Sequence, residues 1–185
     1  MFATLQLLCS FWMYPLAAII LGYAASMAEP GRSPVEFVWL IPTGLLLWTL
    51  LEYGLHRVVF HWTSKIPTVR KIVRQFHLLH HAEPHRKDQI LVRARFSVPM
   101  SIGILISLYG ITQSEFRTVG LMAGIWTGFL YYEWVHYGVH TSASDLGLAV
   151  HRRRHFLHHF VDDKSCYGVT SPLWDWLLGT YKKLN

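Results

Sequence analysis

Four long apolar stretches dominate the pattern of hydrophobic and polar positions along the 185-residue chain. They lie at about residues 5–28, 35–55, 96–112 and 118–139. The first contains no charged residue and, at about 1.5 Å per helical residue, is long enough to cross a hydrocarbon core of about 30 Å. The pattern predicts an all-α integral membrane protein with four transmembrane helices in two hairpins. Its length and lack of linkers or repeats predict a single domain, residues 1–185.

The distribution of basic residues predicts the orientation of these helices. Of the 17 lysines and arginines, only Arg32 and Arg117 fall in the short connections within the two hairpins. The other fifteen lie in 57–95 or 152–183. Because Lys and Arg favour the cytoplasmic side, both termini are predicted to be cytoplasmic. The net charge of +6 then indicates this topology and attraction to anionic lipid, and no nucleic-acid partner is predicted.

The closing residues, "KKLN", leave the membrane of residence open. Two lysines near a cytoplasmic C-terminus are similar to an endoplasmic-reticulum retrieval signal, but they equally suit an ordinary basic tail. The predicted location is therefore the endoplasmic reticulum in a eukaryote and the inner membrane in a bacterium.

The histidines form an ordered series on the predicted cytoplasmic side. All twelve lie between residues 56 and 159, and ten follow the spacing His-x4-His, His-x2-His-His, His-x3-His, His-x2-His-His. Burying so many imidazoles near a membrane is costly unless their nitrogens find partners, and metal ions bind several imidazoles at once. Ten ligands exceed the roughly four to six positions of one ion, so two metals are predicted. The predicted ligands are His56, His61, His77, His80, His81, His136, His140, His155, His158 and His159.

Helical spacing indicates which of these rings share a face. Residues i, i+3 and i+4 lie on one side of a helix, so each His-x2-His-His triad can converge on one centre. His136 and His140 form an i, i+4 pair. His56 and His61 are separated by about 140° on an ideal helix, so they either serve different metals or lie on a distorted turn.

Two carboxylates lie one helical turn before predicted ligands. Glu52 precedes His56 by four residues and Glu133 precedes His136 by three, so each is predicted to accept a ring N–H and fix the ligand tautomer. The alternative is a carboxylate at the membrane interface that pairs with a base such as Arg57.

Three further residues are candidates for the site. Tyr132 is a candidate for the substrate channel, with an interfacial aromatic girdle as the alternative. His85 and His151 fall outside the ten-histidine pattern and are possible extra ligands.

The histidine series resembles that of the membrane fatty acid hydroxylase superfamily, which includes sterol oxidases. The resemblance rests on "EYGLHRVVFH" at 52–61, "HLLHH" at 77–81, "YYEWVHYGVH" at 131–140, "HFLHH" at 155–159 and "YGVTSPLWDWLLGTY" at 167–181. The first of these is most similar to the fatty acid 2-hydroxylase branch. In the last, Trp174 and Asp175 are predicted to belong to a docking segment that packs the C-terminus onto a cap of cytoplasmic helices, and no chemical role is predicted for them.

The resemblance implies a cytoplasmic helical cap and a di-iron centre that uses O2 to hydroxylate long-chain fatty acyl groups. Zinc can replace the iron in purified protein. The haem domain fused to some relatives is not expected here, so the electrons are expected from a separate donor protein.

Several other functions remain open from the sequence. A sterol oxidase or desaturase, or a carotenoid hydroxylase, would use the same two metals. A membrane metal-binding or transport protein is the non-enzyme alternative, although its ionisable groups would lie near the midplane of the spans. A hydrolytic zinc enzyme is disfavoured because the His-Glu-x-x-His motif is absent from the chain.

Overall fold

The computed structural model describes residues 2–62, 64–141 and 147–183, and every regular element in these ranges is helical. Two π-helical segments, Leu55–Phe60 and Arg74–Leu78, each continue directly from an α-helix. The α-helices are α1 (Phe2–Ala28), α2 (Pro34–Gly54), α3 (Pro67–Val73), α4 (Leu79–Ala82), α5 (Lys87–Ile90), α6 (Ala94–Thr112), α7 (Glu115–Thr141), α8 (Ala149–Phe160) and α9 (Leu173–Leu177).

Three helical stretches of the described chain are long and apolar enough to cross a membrane. They are Ser10–Ala28, Val35–Phe60 and Lys87–Thr112, which correspond to the first three predicted spans. Large apolar side chains on them are exposed, including Trp12 and Trp39. Lipid tails would cover such side chains, so these stretches agree with the predicted membrane protein.

The fourth predicted span, 118–139, lies within α7 and is not among these candidates. Helix α7 is long enough at 27 residues, but its apolar pattern is interrupted by polar and aromatic residues. Most of its side chains are buried against protein, so this helix needs less apolar surface than a lipid-facing one. The prediction of four spans therefore stays a prediction.

The chain divides into two compact units, and the first comprises residues up to Trp48 together with Arg93–Leu130. In this unit α2 and α7 touch backbone to backbone at glycines. A Cβ atom added to Gly124 would lie 2.1 Å from the carbonyl oxygen of Ile41, and one added to Gly44 would lie 2.1 Å from that of Leu121. Small residues permit this close approach of helices in membrane proteins.

Aromatic rings fill the space beside this crossing. Tyr14 packs edge-on against Phe129, with ring centroids 5.3 Å apart, and Phe129 in turn contacts Trp48 at 5.5 Å. Tyr14 also contacts Trp126 at 5.6 Å. These contacts hold α1 and α2 against α7 inside the first unit.

The second unit comprises Thr49–Val92 and the chain from Tyr131 onwards. It contains all twelve histidines, which lie on or between the short helices that follow α2, on the last part of α7 and on α8. The single-domain prediction is not decided by this division. Leu184 and Asn185 of the "KKLN" tail lie outside the described residues.

Candidate metal centre

The structure brings the ten predicted histidines together in two groups inside the second unit. In each group, five rings offer one nitrogen apiece, and these nitrogens all lie within 4.8 Å of one another. Cluster A consists of His56, His61, His77, His81 and His158. Cluster B consists of His80, His136, His140, His155 and His159.

A π-helical turn explains why His56 and His61 share a cluster. Residues Leu55–Phe60 are π-helical, and His61 is the residue that ends this segment. The i→i+5 hydrogen bonds of a π-helix bring residues five apart close to the same face, which an α-helix does not do. The two ring centroids lie 5.1 Å apart. Of the two alternatives left open by the sequence, the structure therefore favours the distorted turn.

The prediction that each His-x2-His-His triad converges on one centre is wrong. In the first triad His77 and His81 join cluster A, whereas His80 joins cluster B. In the second triad His155 and His159 join cluster B, whereas His158 joins cluster A. On a helix the i+4 ring lies about 40° from ring i, and the i+3 ring lies about 60° away on the other side. Each triad can thus serve two centres at once.

Distances between ring nitrogens suit a metal ion in each cluster. The Nε2 atoms of His56 and His77 lie 3.0 Å apart in cluster A, and those of His140 and His155 lie 2.8 Å apart in cluster B. Nitrogens bound to one ion at about 2.0–2.1 Å and at right angles to each other are separated by about 3.0 Å. The donor sets therefore fit metal ions of the first transition series.

Backbone carbonyls fix the tautomer of two rings in cluster A. His56 donates its Nδ1 hydrogen to the carbonyl oxygen of Tyr167 at 2.6 Å, and His158 donates its own to that of Ser165 at 2.7 Å. A carbonyl only accepts, so the hydrogen of each neutral ring is on Nδ1. The Nε2 atoms that face the cluster are therefore bare lone pairs, the form that binds a metal.

In cluster B, by contrast, several buried ring nitrogens have no protein partner among the described residues. The Nδ1 atoms of His80, His136 and His155 are buried and have no hydrogen-bond partner among the described residues, and the same holds for both nitrogens of His159. A buried nitrogen without a partner costs free energy. A bound ion would give His159 the partner that these protein residues do not provide.

Burial keeps the imidazoles neutral. It lowers the pKa of His81 to about 3 and that of His158 to about 4, with a further contribution from repulsion between neighbouring rings. Burial likewise lowers the pKa of His77 and His155 well below the usual value. Neutral rings at pH 7 are ready to bind metal without first losing a proton.

Glu52 was expected to accept the Nδ1 hydrogen of His56, but it contacts Thr170 instead. That hydrogen is bound to the Tyr167 carbonyl. Glu52 is buried and accepts hydrogen bonds from the backbone N–H of Thr170, at 2.8 Å, and from its hydroxyl. It therefore anchors the segment that carries the acceptor of His56. The sequence did not predict that Tyr167 and Ser165 bind ligand rings, because every residue has a main-chain carbonyl and the residue type therefore gives no indication of this contact.

Glu133 and Tyr132 both lie beside His136 on α7. Glu133 is fully buried, and its Oε1 accepts the backbone N–H of Val92 at 3.0 Å. Its Oε2 has no partner among the described residues. Tyr132 stacks on the His136 ring with centroids 5.3 Å apart. Their predicted roles in tautomer control and substrate binding remain predictions.

The two possible extra ligands, His85 and His151, lie outside both clusters. His85 is exposed in a turn. His151 donates its Nδ1 hydrogen to the carbonyl oxygen of Val169 at 2.9 Å. The ten-histidine pattern thus coincides with the ten rings that the structure gathers.

The closing segment is held in place by Asp175 and Trp174. The buried Asp175 carboxylate accepts the backbone N–H groups of Tyr167 and Gly168 at 2.9 and 2.8 Å. Trp174 donates its indole N–H to the hydroxyl of Thr49 at 2.9 Å. The predicted docking segment therefore also fixes the backbone that orients His56.

A pocket of about 630 Å³ opens beside both clusters. His81 of cluster A and His159 of cluster B line it, and their stacked rings have centroids 4.1 Å apart. Asp162, Asp163 and Lys164 form its polar wall. The clusters are thus adjacent, and a polar opening reaches one ring of each.

The family model for fatty acid hydroxylase matches residues 41–180, a range that contains every histidine of both clusters. The chain belongs to the fatty acid hydroxylase family. It is 30% identical over 176 residues to the dihydroceramide fatty acyl 2-hydroxylase FAH2 of Arabidopsis thaliana, and this match covers 92% of the chain and 70% of that protein. It is 30% identical over 149 residues to the fatty acid 2-hydroxylase of Mus musculus, over 78% of the chain and 40% of that protein.

A yeast sequence and a solved structure are also similar to this chain. The ceramide very long chain fatty acid hydroxylase of Saccharomyces cerevisiae is 26% identical over 93% of this family member, which spans 46% of the yeast protein's length. The solved structure of full-length scs7p, in which only the hydroxylase domain is visible, matches with a TM-score of 0.80 at 25% identity. That match covers 93% of this chain and 66% of the other. The helical architecture of the family is therefore shared.

Proposed function

We propose that this family member is a membrane di-iron hydroxylase that uses O2 to place a hydroxyl group on a long-chain fatty acyl group. The observation that carries the proposal is the convergence of ten imidazoles in two adjacent five-ring clusters. Histidines with a purely structural role would have no reason to gather in two groups, each with five ring nitrogens within 4.8 Å of one another.

The two clusters would hold the irons, one in each. When bound, a pair of irons supplies redox chemistry with O2 that is strong enough to oxidise an unactivated C–H bond. All-imidazole donor sets suit iron and also zinc, so zinc can occupy them in purified protein. The overall reaction consumes one O2, two electrons and two protons, and yields one alcohol and one water.

The protein residues prepare this chemistry by orientation and by excluding water. Tyr167 and Ser165 hold two ligand rings in the metal-binding tautomer. Nearly complete burial of His136 and His155 keeps solvent from those rings. Donors that are held in place before the metal arrives lose little entropy on binding it.

The membrane arrangement that we propose follows from charge and helix length. Helix α7 is the fourth span, both termini are cytoplasmic, and the histidine-bearing helices form a cytoplasmic cap on a single domain. Fifteen of the 17 basic residues then lie on the cytoplasmic side. A separate electron-donor protein would approach from that side.

The names of similar proteins favour a fatty acyl chain as the substrate. Two of those relatives are named for ceramide or dihydroceramide and a third for fatty acid 2-hydroxylation. We propose that the hydroxyl is placed on the carbon next to the carboxyl or amide, with the polar headgroup at the basic cytoplasmic face. The acyl tail would run towards the spans, and Tyr132 and Glu133 would lie close to the reacting carbon.

Lipid analysis tests this function. Extracts from cells that express the wild-type chain, the His136→Ala variant or an empty vector would be compared by mass spectrometry. We expect acyl chains with one added oxygen at the 2-position in the wild-type extract alone. Unchanged acyl lipids together with altered sterols or carotenoids would contradict the acyl substrate, but not the two metal sites.

A further inference from the structure

A second pocket of the histidine-bearing unit lies between α8 and the C-terminal segment. Its volume is about 240 Å³. Four basic side chains and a tyrosine dominate its lining, and no acidic side chain lines it. The polar lining residues are Arg153, Arg154, Tyr181, Lys182 and Lys183.

Arg154 is a buried cation in this pocket without a paired carboxylate. Arg154 is only 8% exposed. No Asp or Glu of the described chain lies within salt-bridge distance of it. Its Nε atom is buried and has no hydrogen-bond partner among the described residues. A buried charge with incomplete pairing costs free energy, and a negative group in the pocket would lower that cost.

The neighbours of Arg154 leave its guanidinium only partly satisfied. It donates to the carbonyl oxygen of Val169 at 3.1 Å. It also lies 3.2 Å from Nδ1 of His151, but that nitrogen already donates its hydrogen to the same carbonyl and cannot accept another. Asp175 attracts Arg154 from a distance, while its own oxygens bind Tyr167, Gly168 and Thr180.

The remaining basic residues make the pocket attractive to an anion from outside. Arg153 and Lys183 are exposed at its rim. Lys182 pairs with Asp162 at 3.0 Å, so one of the four positive charges is offset. An anion that enters would meet a buried guanidinium, two rim cations and a tyrosine hydroxyl from several directions.

We propose that this pocket binds a phosphate group, either of an anionic phospholipid headgroup or of free phosphate. A tetrahedral anion with several acceptor oxygens can contact donors that converge from different directions, and arginine binds phosphate through directed hydrogen bonds. The site is distinct from both histidine clusters, although Arg154 directly precedes His155 of cluster B. It does not depend on the identity of the metal or of the acyl substrate.

The test is a binding titration of the purified full chain with its metals, in neutral detergent at fixed ionic strength. The probes are inorganic phosphate, the soluble dihexanoyl phosphatidic acid and dihexanoyl phosphatidylcholine. We expect saturable binding of phosphatidic acid by calorimetry and none of the zwitterionic lipid. Equal saturation by inorganic phosphate would identify free phosphate as a sufficient ligand, and binding of phosphatidic acid alone would identify the lipid headgroup.

Charge reversal at the rim provides the matched comparison. The double variant Arg153→Glu, Lys183→Glu changes exposed residues that lie outside both histidine clusters, and we expect it to weaken binding at least tenfold. The double variant Arg70→Glu, Lys71→Glu reverses the same number of charges at two exposed residues on α3, outside the pocket, and should leave binding unchanged. Absence of saturable binding of either phosphate probe, or equal weakening by this control variant, would overturn the proposal.

Discussion

His80 and His85 lie five residues apart but in different surroundings. The His80 ring is buried in cluster B, where its Nε2 atom lies 3.0 Å from that of His136. His85 is exposed and outside both clusters. Two histidines of the same segment therefore provide a comparison between a proposed ligand and a non-ligand.

We expect His80→Ala to lower hydroxylation by more than about 100-fold, because loss of a ligand should exceed the roughly 10–100-fold effect of outer partners. His85→Ala should retain most of the activity. The measurement is the amount of 2-hydroxylated acyl product per amount of folded protein. Equal loss of activity in both variants would place His85 among the ligands and contradict the cluster assignment.

The lowered histidine pKa values predict how the stability of the metal-free protein changes with pH. In the unfolded chain histidines have a pKa of about 6.5, whereas burial lowers that of His81 to about 3 and that of His158 to about 4. Between these values the unfolded state binds more protons than the folded state, so stability falls as pH falls below about 6.5. Each such ring contributes about 1.4 kcal/mol per pH unit.

Thermal unfolding of the metal-free protein in detergent, followed between pH 5 and pH 7.5, measures this dependence. The midpoint should decrease steadily below pH 6.5. In the His81→Ala variant the decrease should be shallower, because about one proton fewer is taken up on unfolding. A midpoint that is constant or rises towards pH 5 would contradict the burial of neutral rings.

Sequence reasoning at this scale identified the ligand candidates but not their partners. The ten histidines were recognisable because imidazoles at fixed spacing leave a residue signature. The acceptors of His56 and His158 are main-chain carbonyls, and their positions depend on how the C-terminal segment folds back. Glu52 was found from its spacing, but its contact with Thr170, 118 residues away, could not be read from one helix.

At the scale of the helical element, two kinds of local geometry decide the structure. The π-helical segment Leu55–Phe60 places His56 and His61 in one cluster, which five-residue spacing on an α-helix does not allow. The division of each His-x2-His-His triad between clusters also depends on which neighbouring helix faces each ring. Periodicity predicts which rings share a face, and tertiary packing determines which centre they reach.

Glycine contacts determine how closely α2 and α7 approach in the first unit. Gly124→Ala would place a Cβ atom 2.1 Å from the Ile41 carbonyl oxygen, so the helices must separate. We expect a loss of about 1–3 kcal/mol in stability, typical of overpacking. The control is Gly22→Ala on α1, where an added Cβ has no neighbour within 4 Å and where Ala is the better helix former.

Thermal unfolding of both glycine variants in the same detergent checks this expectation. Gly124→Ala should have the lower midpoint, and Gly22→Ala should match or exceed the wild type. An unchanged midpoint for Gly124→Ala would contradict the close approach of the two helices. The recurrence of glycine at 120, 124 and 128 is the sequence signal for this approach, although the apolar pattern alone does not reveal it.

At the scale of the whole molecule, the sequence predicted an all-helical membrane protein of the fatty acid hydroxylase family, and both the helices and the family are confirmed. The fourth span was harder to establish because α7 is largely buried, and a buried helix needs less apolar surface. Orientation depends on the charge distribution and on the membrane itself. It remains a prediction of the positive-inside rule.

Topology mapping tests this orientation. A reporter fused to the C-terminus should report a cytoplasmic location, because the basic segments lie on that side. Ser33→Cys lies in the connection between α1 and α2 and should react with an impermeant maleimide only from the opposite side. A lumenal or periplasmic reporter signal at the C-terminus would contradict the proposed topology.

The metal content of the chain tests the central claim most directly. Elemental analysis of undamaged protein, purified in detergent without chelators, should give two metal ions per chain. The variant His61→Ala, His81→Ala removes two rings of cluster A, and His140→Ala, His159→Ala removes two of cluster B, so each should retain about one ion. One ion or none in the wild-type protein would contradict a two-metal centre built from these ten histidines.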